Sequence, residues 1–142
     1  MTISGFDHVA LGVPDLDARV RQLVKQCGMR LLYTGTVQAT GAPMAMLADA
    51  DGIKLELIET PDGEGPRFLH LAFRTDDVDA AHDDAVARGW RSRRPPHPIN
   101  GDYARTALLS DDRGFDLQVI RYGGEQRRDD CGEEKLGGGE QQ

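Results

Sequence analysis

At 142 residues, with 24 Asp and Glu against 17 Lys and Arg, the chain carries a net charge of −7 and a pI near 5.0. That length is enough for one domain, or for two half-domains sharing a core, without staples, and the acidic balance argues against a nucleic-acid or anionic-membrane surface, both of which need clustered Lys and Arg. No basic-then-apolar leader opens the sequence, no apolar run approaches the roughly 18 residues of a spanning helix, and Cys27 and Cys131 lie in surroundings too unlike for a structural disulfide, so the expectation is a soluble protein of the reducing cytoplasm.

Phe6 to Val13 alternates, with Val9 and Leu11 on one side and Phe6, His8 and Ala10 on the other, which is the period of a strand. Pro14 and Asp15 end it. Leu16, Val20, Leu23, Val24 and Cys27 then recur at helical spacing, with Asp15 placed to cap the start and Gly28 to close the end. Three strands follow, Met29 to Val37, Pro43 to Asp49 and Gly52 to Glu59, the last two joined by a tight turn through Ala50, Asp51 and Gly52. This half reads βαβββ.

After a short Pro- and Gly-bearing linker the order returns. A strand is expected from Arg67 to Thr75 and a helix from Asp77 to Arg88, stopped by Gly89. Weaker strands are expected around Trp90 to Arg93 and Tyr103 to Ser110, and a last one from Phe115 to Tyr122. The sequence thus divides into a first module at 1–60, a linker at 61–66, a second module at 67–122 and a tail at 123–142. The tail lacks aromatic and β-branched residues and cannot bury enough surface to offset its ordering entropy, so disorder is expected there.

The two halves superimpose when the chain is shifted by 62 positions (70 − 8 = 62). His8 then falls on His70 and Glu56 on Gln118, while Leu16, Val24, Asp49, Gly52, Leu55 and Leu57 fall on Val78, Val86, Asp111, Gly114, Leu117 and Val119. Each of the four polar residues occupies the strand face opposite its aliphatic neighbours. If the aliphatics cover the helix of their own half, His8, Glu56, His70 and Gln118 face the other side of the sheet, where one concave surface can hold all four. A lone histidine or glutamate on a strand is usually a satisfied or solvated residue; two pairs recurring at one offset point instead to four metal ligands, two per copy.

These residues and their surroundings, FDHVALGVPDLDA at the start, KLELIE closing the first half, FLHLAFRTDDVDAA opening the second and LLSDDRGFDLQVI at the end, resemble the vicinal oxygen chelate superfamily. That superfamily includes glyoxalase I, methylmalonyl-CoA epimerase, extradiol dioxygenases, fosfomycin-resistance enzymes and bleomycin-binding proteins. The resemblance spans residues 3 to 122. It implies an α+β fold in which two βαβββ modules form an eight-stranded open cup with helices outside. It further implies one divalent ion (Zn, Ni, Co, Mn or Fe(II)) held by His8, Glu56, His70 and Gln118, a small-molecule substrate and a homodimer. The departure is Gln118, where glyoxalase-type relatives commonly carry a second glutamate. Two imidazoles, one carboxylate and one amide neutralise only one of the two charges of a divalent ion, a set that resembles the epimerase's with the modules exchanged.

The chemistry expected of such a site is polarisation of a carbonyl on a substrate with two adjacent oxygens, so that an enolate or oxyanion is stabilised, with a base removing the neighbouring proton. This is a lyase or an isomerase. Gln118 cannot be that base, which leaves Glu56, leaving the metal or acting while bound. A second enzymatic reading takes His8, His70 and Glu56 as a facial triad for Fe(II) and O₂ in an extradiol-type dioxygenase; a third, non-enzymatic reading is a metal-free binding protein of the bleomycin-resistance kind. Arg74, Tyr103, Arg105 and Asp116 are the candidate substrate contacts. His97, with Asn100, lies in a loop stiffened by Pro95, Pro96 and Pro98 that can rim the cup, and His82 reads as a solvated helix residue.

Overall fold

The computed structural model describes residues 2–61, 65–123 and 139–141. The chain forms two compact units. Among the described residues the first takes in 8–61, 65–68 and 139–141, and the second 69–123 together with 2–7.

In the first unit β1 (Gly5–Val13, which enters from the second unit at its first residues) is followed by α1 (Leu16–Cys27), β2 (Arg30–Val37), β3 (Pro43–Ala48) and β4 (Lys54–Glu59). β1 pairs in parallel with β4, β4 with β3 and β3 with β2 antiparallel. Parallel neighbours need a long crossover, and here it is α1 with β2 and β3. The helix begins where Asp15 accepts a hydrogen bond from the Ala18 N–H at 3.2 Å and where Glu59 accepts from the Leu16 N–H at 3.1 Å. It ends at Gly28, whose φ of 72° is a left-handed conformation that favours glycine. Val13, Leu16, Ala45, Leu47 and Leu57 form the buried cluster between helix and sheet, flanked by Leu11, Val20, Leu23, Met29 and Leu55.

The second unit repeats this plan: β5 (Arg67–Arg74), α2 (Val78–Ala87), β6 (Arg91–Ile99), β7 (Ala104–Ser110) and β8 (Asp116–Tyr122). β5 pairs in parallel with β8, and β8, β7 and β6 follow antiparallel. Asp77 caps α2 through the Ala80 N–H at 3.0 Å. Val78, Ala81, Ala107 and Val119 pack together beside a second cluster of Ala85, Leu109 and Leu117. The α+β class and the two βαβββ modules are those expected from the sequence.

Two expectations are corrected. β6 does not stop at Arg93 but runs to Ile99, so Pro95, Pro96 and Pro98 lie in a strand rather than a loop. β6 ends its ladder, and its pairing with β7 shifts register on either side of Arg94; an edge strand with bulges tolerates prolines, which have no N–H to donate. His82 is buried rather than solvated, because its Nε2 lies 2.8 Å from Ser92 Oγ on that same strand. Residues 2–7 belong to the second unit. The Ser4 N–H donates to the Arg74 carbonyl at 2.7 Å, Thr75 Oγ1 donates to the Thr2 carbonyl at 2.6 Å and Tyr122 Oη to Asp7 Oδ2 at 2.6 Å.

Of the expected linker, residues 62–64 lie outside the described residues, as do 124–138 and 142 of the tail; Gly139–Gln141 form β9, parallel to β2. Cys27 is an exposed free thiol, and Cys131 is outside the described residues. Among the described residues no helix is long and apolar enough to cross a membrane.

Candidate metal centre

Packing fixes which side chains leave the helix side of each sheet. Because Leu55 and Leu57 belong to the α1 core, the period of the strand sends Lys54, Glu56 and Ile58 to the opposite face. The same holds for His8 and Ala10 on β1, whose Leu11 and Val13 face α1. In the second unit Leu71 and Phe73 turn toward α2 and leave His70 on the far face, while Leu117 and Val119 do the same for Asp116, Gln118 and Ile120.

All four expected ligands are buried: His8, Glu56 and Gln118 at 0% exposure and His70 at 4%. In the first unit His8 Nε2 and Glu56 Oε1 lie 3.2 Å apart. Two donors bound to one cation at about 2.0–2.2 Å stand about 3.0–3.5 Å from each other, so this pair has the spacing of neighbouring ligands without rearrangement. In the second unit Gln118 Nε2 donates to Thr106 Oγ1 at 2.8 Å, whereas Gln118 Oε1 is buried with no hydrogen-bond partner among the described residues. A buried amide oxygen left without a donor is costly, and a hard cation is one of the groups that removes that cost. The donor chemistry therefore fits a divalent ion in both units.

The other expected site residues are placed as follows. Arg74 Nη1 donates to the Phe6 carbonyl at 2.6 Å and lies 3.7 Å from Asp7 Oδ1; its guanidinium runs so close to Gly5 that a Cβ there would fall 2.3 Å from Nη2. Arg105 grips Asp79 of α2 with two bonds, Nε at 3.1 Å and Nη2 at 2.9 Å, on the helix side of β7. Tyr103 is buried with its ring edge-to-face on Tyr122, centroids 5.5 Å apart. Asp116 is paired with Arg93 of β6. All four thus carry contacts with named partners; Arg74 shares a strand face with His70 on β5, and Asp116 with Gln118 on β8.

Two residues of this face were not singled out from the sequence. Lys54 is 1% exposed, two residues before Glu56 on the same face of β4; the alternation that located Glu56 also locates it, but a lysine at a strand end reads as solvated. Thr106 is fully buried, and no local pattern marks it. His97 lies on β6 in register with Thr106, its Nδ1 2.8 Å from the Pro95 carbonyl.

A family model described as the Glyoxalase/Bleomycin resistance protein/Dioxygenase superfamily matches residues 7–105. The chain belongs to this superfamily, the vicinal oxygen chelate proteins, although Gln118 lies beyond the matched stretch. It is 28% identical over 121 residues to a probable lactoylglutathione lyase of Vibrio parahaemolyticus, covering 80% of this chain and 88% of that protein. It is equally 28% identical, over 80% of its length and 89% of the relative's, to the lactoylglutathione lyase of Haemophilus influenzae. Its fold matches that of methylmalonyl-CoA epimerase from Mycobacterium tuberculosis with a TM-score of 0.75 at 22% identity, over 87% of this chain and 91% of that one.

Proposed function

We propose that the protein is a metal-dependent enzyme of lyase or isomerase type, in which His8 and Glu56 of one unit and His70 and Gln118 of the other hold one divalent ion. The substrate is a small molecule that presents two adjacent oxygens, one of them a carbonyl. The observation that carries this reading is the fully buried His8–Glu56 pair at 3.2 Å, supported by the recurrence of its positions as His70 and Gln118 and by lyases among the relatives.

When bound, a divalent ion supplies Lewis-acid polarisation of a carbonyl and so eases loss of the neighbouring proton. The chain's own part is the proton. Glu56 is the only carboxylate among the four residues, and it accepts the proton and returns it at the same or the neighbouring carbon. Its cross-strand neighbours on β3 are apolar, Met46 opposite Glu56 in register and Met44 opposite Ile58, both fully buried, while Lys54 shares the face two residues before it. Excluding water in this way strengthens each electrostatic contact that the carboxylate makes. The homodimer belongs to the same reading and is checked by light scattering.

Elemental analysis of the purified protein tests the proposal. One divalent ion per chain is expected, with His8→Ala and His70→Ala each lowering affinity for it by about 100-fold or more. A protein that arrives without metal and has no affinity for added Zn²⁺, Ni²⁺, Mn²⁺ or Fe²⁺ refutes the reading and leaves sequestration of a small molecule; tightly held iron with O₂ consumption moves it to ring cleavage.

A further inference from the structure

A carboxylate and an amide differ in what they need in order to ligate a cation. The two oxygens of Glu56 are equivalent, so either orientation offers a ligand. Gln118 has one acceptor end and one donor end, and half of its orientations would point N–H groups at a cation. Something must set the orientation.

Thr106 Oγ1 donates its only proton to the Val119 carbonyl at 2.8 Å. What it offers Gln118 is therefore a lone pair, which only the amide nitrogen can meet, and the Gln118 Nε2 to Thr106 Oγ1 bond is 2.8 Å long. Reversing the amide would bring two oxygens together with no proton between them. Thr106, Gln118 and Val119 are all fully buried, so water cannot compensate. Oε1 is left as the free end, buried and without a hydrogen-bond partner among the described residues.

The internal repeat supplies the control. Thr106 pairs with Ile120 and Leu108 with Gln118; at the same places in the first unit Met44 pairs with Ile58 and Met46 with Glu56. The residue diagonal to the ligand is thus a threonine beneath the amide and a methionine beneath the carboxylate. We infer that Thr106 is a positioning residue for Gln118, fixing the amide so that Oε1 is the atom available to the ion. This rests on the reading of Gln118 as a ligand.

The test is a Co²⁺ titration of the whole protein, followed by visible absorption, with folding checked by circular dichroism. Thr106→Val keeps the shape of the side chain and removes the hydroxyl; it is expected to weaken Co²⁺ binding about 10- to 100-fold, as loss of a group orienting a ligand typically does. Thr106→Ser is expected to bind within about threefold of the native protein, because the hydroxyl is retained. In a Gln118→Glu background Thr106→Val should change affinity by less than about threefold, because a carboxylate needs no orienting. Equal losses in both backgrounds, or no loss in either, overturn the inference while leaving the metal centre standing. A native protein that binds no Co²⁺ overturns the centre itself. If Thr106→Val does not fold, a Co²⁺-loaded crystal structure of the native protein decides: Gln118 Nε2 on Thr106 with Oε1 on the ion upholds the lock, and any other orientation of the amide overturns it.

Discussion

At the scale of single residues, the proposed centre rests on what burial does to polar atoms. A carboxylate, two imidazoles and an amide with 0–4% exposure would be a heavy desolvation cost in a fold that used them only as filler. The spacing of His8 and Glu56 and the free oxygen of Gln118 suit a cation that offsets it. Gln118→Glu probes this directly. In the metal-free state the new carboxylate is buried against a hydroxyl whose proton is already used, and stability is expected to fall by about 1–3 kcal/mol. Once metal is added, one more negative donor should tighten Zn²⁺ binding by about tenfold or more. Thermal melts with and without Zn²⁺ read both effects, and a variant stabilised without metal but indifferent to it would contradict the ligand role.

At the scale of elements, the turns that lead into β4 and β8 are built alike. Asp49 Oδ1 accepts from the backbone N–H groups of Asp51 and Ile53, both at 2.9 Å, just before β4. Asp111 Oδ1 accepts from Arg113 at 2.9 Å and Phe115 at 2.8 Å, just before β8. Gly52 and Gly114 follow with φ of 84° and 83°, a conformation glycine adopts without strain. The N–H groups of Phe115 and then Arg113 hold the Asp111 carboxyl below its ordinary value of 3.8. A carboxyl lowered on folding contributes stability that is complete above its unfolded value and is lost as pH falls through the lower, folded one. Asp111→Asn keeps an acceptor oxygen but cannot titrate. The stability gap between native and variant proteins in urea melts should therefore be widest at neutral pH and close as pH falls below about 4; a gap independent of pH would exclude the turn as its source.

The helices and the edge strand show what was legible in the sequence at this scale. Asp15 is readable as a cap because a cap acts three residues away. β6 was not, because three prolines argue for a loop unless the strand lies at an edge, and edge position is a fact about neighbours far along the chain. Burial of His82 follows from the same strand and was misread for the same reason.

At the scale of the whole molecule, the repeat is the organising fact. It joins His8 to His70, Asp15 to Asp77, Asp49 to Asp111 and Glu56 to Gln118 at a single offset, and its departures mark where the halves have specialised: Met44 against Thr106, Lys54 against Asp116, Glu56 against Gln118. In the proposed ligand set, exchanging carboxylate and amide between the halves conserves donor charge. Glu56→Gln alone is expected to weaken Zn²⁺ binding by about tenfold or more, and adding Gln118→Glu should restore it to within about an order of magnitude of the native value. Competition titration against a chelator measures both, and a double variant no better than Glu56→Gln would show that the two positions do not serve one ion.

The sequence by itself determined the two βαβββ modules, their helix caps and turns, and the four polar residues set inside apolar strands, because each of these depends on neighbours a few positions away or on a repeat visible in the letters. Tertiary structure alone decided the partners: Arg74 with a carbonyl 68 residues distant, Arg105 with Asp79 across 26 residues, and Gln118 with Thr106 on the adjacent strand. A side chain's hydrogen bond is chosen by strand register and by which face is already full, and neither is written in the spacing of the residues that make it.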